Sequence, residues 1–285
     1  MDTPADEVAA RAAARLGEID GVAAVVLGGS RGRGAARPDS DVDLGVYYHP
    51  SHLPSRAALQ AAATELDDLH RDGTVTGFGD WGPWVNGGAW LQIDGHAVDW
   101  LFRDVARVTQ VIEDARAGRV SADYYLGHPH AFHSYIYLGE VATCRPLQDR
   151  DNVVTALKVL VAHYPPALRT EVVRRYSYDA RFMLEVARKP AGRGDVFEVA
   201  GCLFRVAAVL VQVLFALNET YFLNEKGAVE AVDGMRLHPA GFGRRVQRVL
   251  GAPGTTAARL LESVERFDQL IAEVDALCRD AAVEV

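Results

Sequence analysis

Apolar positions recur with two different periods along this chain, and the change of period comes near its middle. Residues 5–18 place Val8, Ala12, Ala13 and Leu16 on one face of a helix, with Asp2 or Thr3 positioned to cap its start. The β-branched run from Val22 to Leu27 predicts a buried strand that ends in Gly28-Gly29-Ser30. A Gly- and Arg-rich turn, 31–38, then leads through Asp39-Ser40-Asp41 into a second strand, Val42 to Tyr48. Residues 56–70 predict a helix, and 74–88, rich in Gly and Trp, a mixture of strand and loop. Two strands are expected at 89–93 and 96–102, with Asp94-Gly95 between them as a hairpin turn.

From about Asp151 the pattern becomes helical throughout. The segments 152–163, 168–188, 195–218, 239–250 and 256–281 are apolar at helical period. Pro165-Pro166, Pro190 with Gly192 and Gly194, and the stretch from Gly251 to Gly254 punctuate them. The expectation is an α/β (α+β) protein, with a mixed-sheet domain at 1–145 followed by an α-helical bundle at 146–285 and substrates held in a cleft between the two.

Composition narrows this picture. Hydrophobic residues make up 49% of the 285, enough for a sizeable core in each half. The formal charge of −8, from 30 Lys and Arg against 38 Asp and Glu, speaks against long nucleic acid as a partner and suits a cationic small molecule. Cys144, Cys202 and Cys278 follow neither metal nor disulfide spacing, which fits a reducing cytoplasm. The first twenty residues lack the pattern of a signal peptide. The longest apolar stretch, Val206 to Leu217, is too short to span a bilayer and reads as a core helix, so no membrane partner is expected.

The chemistry concentrates around three carboxylates. Alternate residues of a strand share a face, so Asp41 and Asp43 project together while Val42 packs behind them. Carboxylates side by side repel unless a cation lies between them, and magnesium takes such oxygen ligands together with substrate phosphates. Gly29 lets the backbone approach a phosphate closely, and the Ser30 hydroxyl can hold its oxygens. Asp99, in mid-strand between Val98 and Trp100, is the expected third carboxylate, ahead of its neighbours Asp94 and Asp104.

The stretch GGSRGRGAARPDSDVDLGVYY resembles the signature of the DNA polymerase β-type nucleotidyltransferases, in particular the stand-alone bacterial branch that includes the minimal, aminoglycoside and lincosamide nucleotidyltransferases. The specific match covers about residues 20–105. The resemblance implies a mixed sheet flanked by helices with a helical domain after it. It implies transfer of a nucleoside monophosphate from a nucleoside triphosphate, ATP being expected, to a hydroxyl, with release of pyrophosphate. It matches Gly29 and Ser30 to the phosphate-binding Gly-Ser and casts Asp41, Asp43 and Asp99 as catalytic and metal-binding residues for two Mg2+ ions; Arg31, Arg33 and Ser40, read from their place in the same turn, are further candidates for binding the nucleotide. Lys158 and Lys226 are the lysines that resemble the one reaching the phosphates from the helical half.

Other residues stay open. Arg37 flanks the same turn; Glu140 competes with Asp99 as the base for the acceptor hydroxyl. Trp81, Trp84 and Trp90 read as core under a loop, with stacking on a ligand as the alternative. His128, His130 and His133 read as a polar loop rather than a zinc site. The acceptor is expected to be a hydroxyl of a small molecule, an aminoglycoside-like antibiotic being the candidate, with antibiotic resistance as the role that candidate would carry. The rival readings are a toxin–antitoxin nucleotidyltransferase acting on tRNA or protein, and a nucleotide-binding module without activity.

Overall fold

The computed structural model describes residues 3–283. The elements run α1 (Pro4–Gly17), β1 (Val22–Leu27), α2 (Gly29–Gly32), β2 (Val42–Tyr48), α3 (Arg56–Leu66), β3 (Gly88–Ile93) and β4 (His96–Asp104). They continue with α4 (Val105–Arg116), β5 (Ala122–Tyr125), β6 (His128–His133), α5 (Ile136–Thr143), β7 (Arg145–Gln148) and α6 (Val153–Leu160). Five helices complete the chain: α7 (Pro166–Arg193), α8 (Val196–Leu217), α9 (Ala228–Val232), α10 (Phe242–Gly251) and α11 (Ala257–Asp280).

The chain forms two compact units. The first comprises residues up to Glu113 together with Tyr137–His163; the second comprises Asp114–Ile136 and the residues from Tyr164 onward. The junction at 145/146 falls inside β7, a strand of the first unit's sheet.

That sheet has five strands in the order β3-β4-β2-β1-β7. Only β2 and β4 run parallel; β1/β2, β1/β7 and β3/β4 are antiparallel, which makes the sheet mixed. One face carries Val42, Leu44, Val46, Val98, Trp100 and Phe102, all buried against Val8, Ala12, Ala13 and Leu16 of α1 and Leu59, Ala62 and Ala63 of α3. The alanines on both helices let them lie close to the strands. With every second residue of β2 and β4 committed to this core, the residues between them must face the other way.

Local signals explain most element ends. Thr3 closes a capping box with Asp6 at the start of α1; the other expected cap, Asp2, lies outside the described residues. Asp94 and Gly95, at φ 51° and 75°, form the hairpin turn between β3 and β4. The helix expected at 56–70 stops at Leu66, because Asp67 leaves helical geometry. Its buried carboxylate accepts from the backbone N–H groups of Leu69, Arg71 and Gln92 and pairs with the Arg71 guanidinium. The segment 74–88 contributes only an isolated bridge, Val75 to Ala89, ahead of β3.

In the second unit α7 and α8 form a long hairpin. Gly194, at φ 78°, closes α7, and the Asp195 carboxylate caps α8 by accepting from the Glu198 N–H. Helix α7 runs through Pro190, so the expected break falls at Gly194 instead. Helix α8 is long and apolar enough to cross a bilayer, but 72% of its most apolar window is buried within the protein. The segment 127–133, read from sequence as a loop, is largely the strand β6, paired antiparallel with β5.

Candidate active site

The face of the sheet opposite α1 and α3 carries the acidic residues. Asp43 on β2 and Asp99 on β4 are direct register partners across the parallel pair, so the two side chains emerge on the same face one strand apart. Both are half-buried. Of the three acidic residues considered for the third carboxylate, only Asp99 lies opposite Asp43. Asp94 sits in the hairpin turn and pairs with Arg11 at 2.7 Å, and Asp104 ends β4 and accepts from the Arg107 N–H of α4. Asp41 precedes β2 and is exposed.

The glycine turn packs against Asp43. The Gly28 N–H donates to the Asp43 carbonyl at 2.8 Å. Gly29, at φ 57°, lies so close to the carboxylate that a β-carbon there would stand 1.8 Å from Asp43 Oδ2. Only glycine satisfies both constraints. Ser30 follows in the short helix α2, half-buried.

The arginines of the turn hold its backbone. Arg31 donates from Nε and a terminal nitrogen to the Ser40 carbonyl, at 3.2 and 2.6 Å, and from Nε to the Asp41 carbonyl at 3.1 Å. It thereby ties α2 to the lead-in of β2. Arg33 Nε donates to the Gly29 carbonyl at 3.2 Å. The Ser40 hydroxyl accepts from the Arg37 N–H at 2.9 Å and closes the turn between them.

Lys158 and Lys226 have separate surroundings. The Lys158 ammonium donates to the carbonyls of Val141, Ala142 and Cys144, at 3.0, 2.8 and 2.7 Å, using its three protons on the C-terminal end of α5. Lys226 belongs to the second unit and is exposed, with its N–H bonded to the Asn224 side chain.

Glu140 on α5 is engaged by Arg103, which the sequence reading did not single out. The buried Arg103 guanidinium donates from two nitrogens to the two Glu140 oxygens, each at 2.8 Å. Burial works against the arginine charge, but the carboxylate facing it more than compensates and raises its pKa above the ordinary arginine value. An arginine directly after the apolar run Trp100-Leu101-Phe102 was the available signal, since a charge so placed needs a partner.

The tryptophans divide. Trp84 is buried, edge-on to Tyr137 at 5.7 Å and covered by the Arg107 guanidinium at 4.8 Å, as the core reading expected. Trp90 is 62% exposed and stacks on Trp81, with ring centres 4.4 Å apart. The histidines of β6 lie in the second unit. His128 pairs with Glu225 at 3.1 Å, and buried His133 bonds the Tyr176 hydroxyl at 2.8 Å.

Among the described residues, no group of three or more His, Cys, Asp or Glu side chains is gathered as a metal site. Asp43 and Asp99 still fit magnesium, which is commonly held by one or two carboxylates and completes its octahedron with water and substrate phosphate.

Residues 10–73, which contain β1, the glycine turn and β2, match the model of the nucleotidyltransferase domain family. The likeness is to a nucleotidyltransferase domain and covers this segment alone. The matched segment ends before β4 and contains Asp43 but not its register partner Asp99. Among solved structures, the chain is similar to a nucleotidyltransferase-like protein from Exiguobacterium sibiricum, at 10% identity and a TM-score of 0.45, covering 93% of this chain and 73% of that one. No curated protein matches it.

Proposed function

We propose that the chain is a metal-dependent nucleotidyltransferase that moves a nucleoside monophosphate, AMP from ATP, onto a hydroxyl of a small molecule. The observation that supports it best is the register pair Asp43–Asp99 with the Gly28-Gly29-Ser30 turn packed directly on Asp43. A turn of this kind receives phosphates through backbone N–H groups and a serine hydroxyl. Next to it, Asp43 and Asp99 would hold magnesium, and Asp41 can join them from the exposed lead-in to β2. Bound magnesium would neutralise charge developing on the phosphoryl oxygens.

The residues divide the work as follows. The Ser30 hydroxyl and the α2 backbone orient the β- and γ-phosphates. Arg31 fixes the spacing between that turn and Asp41 through the carbonyls it binds. Asp99, farther from the turn than Asp43, receives the proton of the acceptor hydroxyl. The hydroxyl oxygen bonds to the α-phosphorus, and the bond to the β-phosphate bridging oxygen breaks, its electron pair leaving with pyrophosphate. Glu140 serves the fold through Arg103, since both of its oxygens are bonded there.

The test is incubation of the purified chain with each of four labelled nucleoside triphosphates and Mg2+, against aminoglycosides, lincosamides, tRNA and the protein itself. Label transferred to a small hydroxyl compound, and lost in EDTA, is the expected result. Transfer to tRNA or to the protein replaces the small-molecule acceptor. Mg2+-dependent binding of triphosphate with no transfer or pyrophosphate release identifies a binding module.

A further inference from the structure

The row that contains Asp43 and Asp99 continues to the edge of the sheet. Trp90 on β3 is the register partner of Asp99, just as Asp99 is of Asp43. Directly paired residues share a face, so the order across the sheet is the Gly28–Ser30 turn, Asp43, Asp99, Trp90. At a strand spacing of about 4.8 Å, the base of the Trp90 side chain stands about 10 Å from that of Asp43.

The indole is a built feature of this edge. Trp81 stacks on it at 4.4 Å with an interplanar angle of 21°. Gly88 supplies the room: a β-carbon there would stand 3.0 Å from Trp81 Cζ3 and 1.8 Å from the Trp100 carbonyl oxygen. The result is an indole backed by a second one, 62% exposed, beside a carboxylate on an otherwise half-covered face. Exposure alone is common for a surface aromatic; what sets this one apart is its register with Asp99 and the second indole stacked behind it.

In-line phosphoryl transfer sets the attacking and leaving oxygens on opposite sides of the phosphorus. With pyrophosphate leaving on the Gly29–Ser30 side, the attacking hydroxyl approaches from the Asp99–Trp90 side. We infer that Trp90, backed by Trp81, is the platform on which the acceptor lies, and that the acceptor presents a sugar ring to it. This rests on the nucleotidyl-transfer reading above. A sugar suits both neighbours: the C–H groups of its flat face meet the electron-rich face of the indole, and its hydroxyls donate to Asp99. A ring without hydroxyls satisfies the indole alone.

The protein has four tryptophans, so a 15N-labelled sample gives four indole N–H signals, and Trp90→Phe assigns the one that matters. The protein is titrated with methyl glucoside, glucosamine and adenosine, both alone and saturated with Mg2+ and α,β-methylene-ATP. The sugars are expected to shift the Trp90 signal, and Trp90→Ala to weaken them about tenfold, the scale of an aromatic stack. The same variant keeps its affinity for α,β-methylene-ATP within about twofold, because Trp90 lies away from the phosphate turn. A Trp90 signal unmoved by either sugar overturns the platform. So does a shift by adenosine alone, or a loss of α,β-methylene-ATP affinity in Trp90→Ala, either of which makes the indole a nucleobase site. If the unaltered protein does not bind α,β-methylene-ATP, the nucleotidyl-transfer reading fails, and the sugar titration of the nucleotide-free protein decides the platform by itself.

Discussion

Gly29 and Asp43 occupy space that only a residue without a side chain can share, since a β-carbon on Gly29 would stand 1.8 Å from the Asp43 carboxylate. Gly29→Ala therefore strains the backbone at φ 57° and also displaces a proposed metal ligand. Stability should fall by about 1–2 kcal/mol and turnover by roughly 100-fold. Thermal melts and steady-state rates check the two effects. Full turnover in the variant would separate the glycine turn from the chemistry.

Asp43→Asn and Asp99→Asn keep the side-chain shape and remove one charge each. Each should lower turnover by at least about 100-fold while the protein stays folded. Calorimetric titration with ATP should show magnesium-dependent affinity in the unaltered chain and little magnesium dependence in either variant. An unchanged rate in Asp99→Asn would remove Asp99 from the site and leave Asp43 with a partner other than its register neighbour.

Glu140 offers the opposite pattern. Replacing it with Gln leaves the buried Arg103 guanidinium facing a neutral group, at a cost of about 3 kcal/mol. Urea denaturation should show that loss. The kcat, corrected for the folded fraction, should change less than about threefold if Asp99 rather than Glu140 receives the proton. A large fall in kcat at full folding would restore Glu140 as the base.

Acid should weaken the protein through His133. Burial, followed by the neighbouring His130 and His128 and then Arg175, pushes its pKa down to about 3. An unfolded histidine titrates near 6.5, so below that pH the unfolded chain takes a proton that the native protein refuses. The stability contribution is present at neutral pH and declines as pH falls from about 6.5 toward 3. From pH 7 to 5 the loss is up to about 2 kcal/mol. Burial, the largest effect on His130, lowers its pKa too and adds to the loss in the same direction. Denaturation at both pH values should show a smaller difference in His133→Phe than in the unaltered chain.

The first half of the fold was legible because its patterns are local. The β-branched run, the glycine turn and the Asp-Val-Asp alternation each define an element by spacing alone, and β1, β2 and the β3–β4 hairpin lie where the sequence placed them. Asp99 was favoured for its mid-strand position, and the register with Asp43 gives that preference its geometry. What the sequence hid depends on distant partners. The helix of 56–70 ends early because Asp67 is held by Gln92, twenty-five residues on. Strand β6 was hidden in a segment of histidines and a proline, residues poor in strand propensity, and forms by pairing with β5. Arg103 and Glu140 stand 37 positions apart and make sense only as a pair. Trp90 and Trp84 looked equivalent in the sequence; alternation along β3 turned one outward, and the loop folded the other inward.

Strand β4 is paired on both sides around Asp99, parallel to β2 from Val98 to Asp104 and antiparallel to β3 from His96 to Leu101. Val98, Trp100 and Phe102 are fully buried on one side of it, and Asp99 points to the other. A slip of one residue would send three large apolar groups into water and drive Asp99 into the core, so the strand has no neighbouring setting to sample. The aim of the carboxylate is thus inherited from hydrophobic packing on the far side of the sheet. Mutations that loosen the α1–α3 core without touching any polar residue should blur the position of Asp99 before they unfold the chain.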